Sequence, residues 1–279
     1  MPESKFVNAN GLRLHYLDFG NPSAPPLVCI HGLTANAHSF DGIAPKLSQR
    51  YHVISIDVRG RGDSGWGPVS EYALPAYVSD LNGMLDGLKI PRTSLIGTSM
   101  GGMISMTFAV LFPGKVEKIV LNDIGPEIDP AGLKRIMDYV VEPPQEFKDI
   151  GAVVAYYRSI YPPVEHETDA VVAEWVRTSV KPTDRGTLTW KMDPGVRQAL
   201  RDALKNPPPL IDTWKPYASI KAPILVVRGG DSDILSAATA KKMCELSPNT
   251  KMVEVPGVGH APFLTEPEAA KAIAEFFGV

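Results

Sequence analysis

A short apolar strand that ends in Gly97-Thr98-Ser99-Met100-Gly101 and passes at once into a helical pattern constrains this chain more than any other feature. Gly-x-Ser-x-Gly in that setting describes a strand-to-helix turn so tight that the central serine is strained and held out toward solvent. Gly97 and Gly101 are needed because no side chain fits where the turn folds back on strand and helix. Leu95-Ile96 read as a buried strand. Met103, Ile104, Met106, Thr107, Phe108 and Val110 read as an apolar helix that stops at Pro113-Gly114. The helix N-terminus beneath Ser99 offers unpaired N–H groups and the positive end of the helix dipole. Ser99 is thus a candidate nucleophile.

The surrounding pattern repeats strand, loop and helix. Lys5–Val7 and Leu12–Tyr16 flank Asn8-Ala9-Asn10-Gly11 and predict a hairpin. Leu27–Ile30 and His52–Ile56 predict apolar strands, and Phe40–Leu47 and Tyr77–Leu88 predict helices. After the Ser99 turn comes a strand at Val116–Leu121. The alternation breaks near residue 125 and resumes with strand Pro223–Val227, helix Ala237–Leu246, strand Lys251–Val255 and helix Pro267–Phe277. Short apolar strands alternating with helices imply a mostly parallel sheet covered on both faces. Residues 126–217 are proline-rich, carry helical patches near 131–141, 146–160, 169–179 and 195–204, and hold three of the four tryptophans. They predict a helical cap inserted into a core made of residues 1–125 and 218–279.

With 279 residues there is ample chain for a large core, and 44% hydrophobic with 21% charged residues is ordinary for a globular protein. A net charge of −3 gives no reason to expect a nucleic-acid partner. No run approaches the roughly 18 apolar residues of a membrane span. Cys29 and Cys244 are isolated and read as thiols in a reducing compartment. With a polar start at Met1–Lys5, the expected setting is cytoplasmic.

A serine hydroxyl needs a base to take its proton, and the base needs an acid to orient it. Two histidines follow Ser99. His166 lies among glutamates in the cap segment and reads as a surface residue. His260 lies in Gly257-Val258-Gly259-His260-Ala261-Pro262 after the last strand, a tight loop able to aim one imidazole, and is the expected base. The acid is expected in Arg228–Ser236. Asp233 is favoured because Ile234-Leu235 should bury and anchor its loop. Asp231, between glycine and serine, and Asp123, after strand 116–121, stay open as alternatives. The N–H groups of Met100, after the nucleophile, and Leu33, in Ile30-His31-Gly32-Leu33-Thr34, are the expected oxyanion donors. His31 reads as support for that loop. Phe40, Tyr157, Trp190 and Met192 are candidate pocket residues, with Tyr156 beside them, although aromatics in a cap also serve its own packing.

Taken in order, His31-Gly32-Leu33, Asp57–Ser64, Gly97–Gly101, Arg228–Ser236 and Gly257–Pro262 resemble the α/β-hydrolase superfamily over nearly the whole chain. The resemblance implies an eight-stranded, mostly parallel sheet, a cap over the site, and no cofactor or metal. It implies structural roles for Asp57, Arg59 and Asp63. One departure stands out. Gly-x-x-Asp, the acid loop of many relatives, lands on Ser232 when counted from Gly229 and on Asp233 from Gly230. Relatives that open epoxides or displace halide carry Asp at the elbow, so Ser99 implies acyl transfer. The expected activity is hydrolysis of a small to medium carboxylic ester or lactone through an acyl-enzyme. Hydrolysis of a carbon–carbon bond in a vinylogous diketone, or of an enol-lactone, would use the same residues. A non-catalytic small-molecule receptor is the reading from another class, and turnover separates it from an enzyme.

Overall fold

Alternating apolar residues build the sheet. A computed structural model describes residues 1–160, 168–207 and 211–279. Its strands are β1 (Glu3–Ala9), β2 (Leu12–Asp18), β3 (Pro26–Ile30), β4 (His52–Ile56), β5 (Thr93–Thr98), β6 (Val116–Asn122), β7 (Glu146–Phe147), β8 (Val180–Pro182), β9 (Leu188–Trp190), β10 (Ile224–Gly229) and β11 (Thr250–Val255). Its helices are α1 (Ala44–Leu47), α2 (Leu74–Gly87), α3 (Met100–Leu111), α4 (Pro130–Val140), α5 (Ile150–Ile160), α6 (Asp169–Ser179), α7 (Pro194–Lys205), α8 (Trp214–Ala218), α9 (Ala237–Leu246) and α10 (Pro267–Phe277).

Eight strands form one sheet in the order β1-β2-β4-β3-β5-β6-β10-β11. β2 pairs antiparallel with β1 and β4, and every other pairing is parallel. The hairpin turns at Asn10-Gly11, both at positive φ, as a two-residue turn matched to strand twist requires. Each central strand splits its apolar residues between the faces. Val28, Ile30, Leu95, Ile119, Leu121 and Val226 meet α2, α3 and α9 on one face. Leu27, Cys29, Ile96, Val120, Leu225 and Val227 meet α1 and α10 on the other. Each such side chain, fully buried, contributes about 1.5–3 kcal/mol, which fixes strand register firmly.

Between β6 and β10 the predicted helices are present. The sequence reading misses three short strands there, which form an antiparallel sheet in the order β7-β9-β8. They are two or three residues long, too short for periodicity to declare them. Phe147, Val153, Val154, Val172, Val176 and Val180 give this segment its own apolar cluster. α8 packs instead on the sheet-side core through Tyr217. No described helix is long and apolar enough to cross a membrane.

Backbone approaches backbone very closely at the junction of β5 and α3. A Cβ on Gly97 would lie 2.3 Å from the Gly101 carbonyl oxygen, and one on Gly101 would lie 2.0 Å from that of Ile30. Backbone cannot yield as a flexible side chain can. Gly101→Ala should therefore lower the melting temperature by about 10 °C or more. Gly114→Ala, whose Cβ would meet nothing within 4 Å, should leave it within about 1 °C. Thermal melts of both variants check this, and equal shifts would sink the steric argument.

Candidate active site

All the singled-out loops leave the carboxyl ends of parallel strands, where ligands bind in open α/β sheets. Ser99 follows β5 with φ 51° and ψ −115°. That backbone is easy for glycine and costs another residue about 1–3 kcal/mol. Its own N–H donates to the Asn122 carbonyl at 3.0 Å, and its carbonyl accepts from Gly102 and Met103, which hold the turn. Ser99 Oγ lies 2.9 Å from His260 Nε2.

The other imidazole nitrogen, Nδ1, lies 2.7 Å from Asp123 Oδ2. Here the structure corrects the sequence expectation. Asp233 does not face His260. Arg135 of α4 takes its carboxylate through two hydrogen bonds, Nε to Oδ2 at 2.5 Å and Nη2 to Oδ1 at 2.8 Å. That hydrogen bonding holds the Asp233 carboxyl below its ordinary range. Ile234 and Leu235 are buried as expected, but they anchor the loop with this carboxylate turned toward α4. Asp231 is exposed on the cavity rim.

Asp123 is fully buried just past β6, with φ 54°. Its Oδ1 accepts the Gly229 N–H at 2.8 Å, and its Oδ2 also accepts the Ser232 hydroxyl at 2.6 Å. Ser232 is the residue on which the Gly-x-x-Asp spacing from Gly229 falls. A serine there supplies no carboxylate, and its hydroxyl donates to Asp123 instead.

Gly32 lies against Ser99, since a Cβ on it would stand 3.7 Å from Ser99 Cβ. Leu33 follows it, and Met100 opens α3. Neither N–H has a protein acceptor among the described residues. His31 supports this loop from beneath, fully buried. It accepts the Val58 N–H at Nε2 and therefore donates from Nδ1 to the Gly32 carbonyl at 2.7 Å. Burial pushes it down to about 4, so it stays neutral. Arg61, which the sequence reading passed over, braces both donor residues. Its Nε donates to the Leu33 carbonyl at 3.2 Å, and its Nη2 lies 3.6 Å from Met100 Sδ. Asp57 ties the same layer, accepting the N–H groups of Ala37 and Asp63 and pairing with His15.

Above Ser99 and His260 lies a cavity of about 1000 Å³. Leu33, Tyr157, Trp190 and Met192 line it. Tyr156, Tyr157 and Trp190 also pack on the cluster between β6 and β10, so these aromatics serve both roles. Phe40 does not line the cavity. It ends a short 3-10 turn, Ala37–Phe40, and points under the sheet into the core with Leu27 and Leu47. The turn presents His38 and Ser39 to the cavity instead. Trp175 and Phe263, stacked at 4.5 Å, form a wall the sequence did not announce. His166 lies outside the described residues.

This site sits in a known setting. The chain belongs to the alpha/beta hydrolase family, whose sequence model matches residues 27–274. It is 36% identical over 276 residues to a 3-hydroxybutyrate-oligomer hydrolase of Cupriavidus necator, covering 95% of this chain and 92% of that one. It is 31% identical over 274 residues to a 2-(acetamidomethylene)succinate hydrolase of Mesorhizobium japonicum, covering 98% and 94%. A crystal structure of an alpha/beta hydrolase from Novosphingobium aromaticivorans superposes with a TM-score of 0.89 at 32% identity, covering 99% and 98%.

Two outcomes follow from the geometry. Asp123→Asn should cost up to about 10⁴ in turnover, since an amide cannot hold the imidazole in the same tautomer. Asp233→Asn should cost less than about tenfold. Steady-state rates for the two variants decide between them, and the reverse order would restore the acid to residue 233. Second, His31 titrates near 6.5 when unfolded and near 4 when folded. Above 6.5 both states are neutral and its contribution is complete. As pH falls from 6.5 to 4 the unfolded chain takes up a proton that the folded one refuses, so stability drops, by up to about 3 kcal/mol. His31→Gln should lose less stability than wild type between pH 7 and pH 4.5 in urea titrations, and parallel losses would count against a buried neutral His31.

Proposed function

We propose that this chain is a serine hydrolase that cleaves a small to medium carboxylic ester through an acyl-enzyme. The observation that carries the reading is the unbroken line Asp123–His260–Ser99, with 2.7 and 2.9 Å links, at the floor of the cavity. In this reading His260 Nε2 takes the hydroxyl proton as Ser99 Oγ attacks the ester carbonyl. Asp123 fixes the Nδ1–H tautomer and balances the imidazolium that forms. The oxyanion is met by the N–H groups of Leu33 and Met100, each such donor being worth about 10²–10³ in rate. His260 then returns the proton to the leaving alcohol, and water, activated by the same imidazole, releases the acid.

The residues between β6 and β10 act as the cap that shuts the acyl pocket against bulk water. Apolar walls at Tyr157, Trp190 and Met192 favour a short acyl chain. A relative that acts on 3-hydroxybutyrate oligomers points to an ester bond between hydroxyacid units as the substrate class.

Ser99→Ala should lower hydrolysis of p-nitrophenyl butyrate by about 10⁴–10⁶ while the melting temperature holds. A fluorophosphonate should label wild type at Ser99 alone, by peptide mass spectrometry. Labelling at another serine, or an alanine variant that keeps most of its activity, would sink the mechanism.

A further inference from the structure

Two arginines are buried beside the cavity, and they are satisfied in opposite ways. Arg61 is 1% exposed. Each of its nitrogens is occupied, by the Leu33 and Arg59 carbonyls, the Tyr77 hydroxyl and Met100 Sδ. Arg197, in the first turn of α7, is 3% exposed. Its Nη1 donates to Gln145 Oε1 at 3.1 Å, its only hydrogen-bond partner among the described residues. Its Nε is buried with no acceptor at all. The Nε–Nη2 edge, the fork that grips a carboxylate through two parallel bonds, is therefore unspent.

Among the described residues, its surroundings offer no counter-charge. Trp190 lies 6.0 Å from the guanidinium carbon, and the Tyr156 phenol is near. The cation one turn along α7 is Arg201, of like sign, bonded to the Val141 carbonyl and Gln198. Burial pushes Arg197 down to about 10, still a cation at neutral pH. The other cations of the cavity wall have acids of their own, Asp233 for Arg135 and Asp63 for Lys191. A buried charge that is neither paired nor fully hydrogen-bonded is a costly arrangement, which an anionic ligand offsets. Arg197 lines the same cavity as Ser99 and His260.

We propose that Arg197 anchors a free carboxylate of the substrate, so that the ester cleaved at Ser99 is one end of an acid whose other end is ionised. The inference rests on the serine-hydrolase reading above for the reaction, and on Arg197 alone for the carboxylate. One unpaired cation matches one negative charge, which fits a monocarboxylate terminus better than a phosphate dianion. Trp190 and Tyr156 beside the guanidinium would exclude water from the pair and strengthen it.

The test compares the linear dimer of 3-hydroxybutyrate with its terminal primary amide, which has the same shape and no charge. Wild type should prefer the acid by about 100-fold in kcat/KM. Arg197→Met should collapse that preference to within about threefold, and Arg197→Lys should keep part of it, since a point charge lacks the fork. Arg197→Gln serves the same comparison where Arg197→Met does not fold. A preference preserved in the neutral variant, or absent in wild type, overturns the proposal. Glutarate binding by calorimetry reads the anchor without turnover. Binding to wild type that is lost in Arg197→Met supports it, and equal binding to both, or none to wild type, overturns it. Absence of hydrolysis of every ester, with glutarate still bound through Arg197, would overturn the hydrolase reading and leave the carboxylate site standing.

Discussion

The approach of Gly101 to the Ile30 carbonyl, where a Cβ would stand 2.0 Å from oxygen, is the contact on which the site depends. It lets the first turn of α3 sit directly on the carboxyl end of β3. Gly97 and Gly102 repeat the device one layer away, against the Gly101 backbone and Ile124. With three glycines stacked there, Ser99 has nowhere to go but outward, at φ 51°. The same approach brings the Met100 N–H, unpaired because it opens a helix, next to the Leu33 loop. One backbone contact thus sets the position of Ser99 and of the Leu33 and Met100 N–H groups.

Loops held so close must be rigid on their hidden side, and a polar layer supplies this. Asp57, His31 and Arg61 are all nearly inaccessible, and each spends at least one hydrogen bond on backbone of a neighbouring loop. A buried polar group costs roughly 1–3 kcal/mol for each hydrogen bond it fails to make, so these loops cannot drift without paying for several at once. Arg59, pinned bidentately by Asp80, extends the layer to α2. The motif Asp57–Asp63 therefore shapes the site without touching its cavity at Asp57 or Arg59.

Local pattern made much of this legible. The helices Ala237–Leu246 and Pro267–Phe277 match the sequence reading residue for residue, because each has a clear start signal and an apolar stripe. The elbow and the histidine loop were legible because glycine and proline leave few conformations. The acid was not, since Asp123, Asp231 and Asp233 emerge at one end of the sheet and a tertiary partner chooses among them. Arg135 is 98 positions from Asp233 in sequence, and no local rule links them. Phe40 failed for a similar reason, as one 3-10 turn decides whether it faces the cavity or the core. Arg197 was invisible to periodicity, because a polar residue on an amphipathic helix reads as solvent-facing until the helix is packed.

The segment between β6 and β10 joins the sheet-side core through Ile136, Val140, Met192, Val196 and Tyr217, and a ring of polar and aromatic contacts adds to that. Trp175 stacks on Phe263, Asn36 donates to Thr178 and Ser179, Arg135 grips Asp233, and Lys191 reaches Asp63. Half-exposed ion pairs of this kind are worth about 0–1 kcal/mol each, and an aromatic stack about 0.5–1.5. The apolar cluster of Val153, Val172 and Val176 is separate from both sheet-side clusters. Around that cluster α5 and α6 rest on the modest contacts, while α4, α7 and α8 are tied into the sheet-side core. The close backbone approaches thus sit beneath Ser99 and fix its geometry, while the wall over the cavity mixes apolar burial with ion pairs that solvent screens.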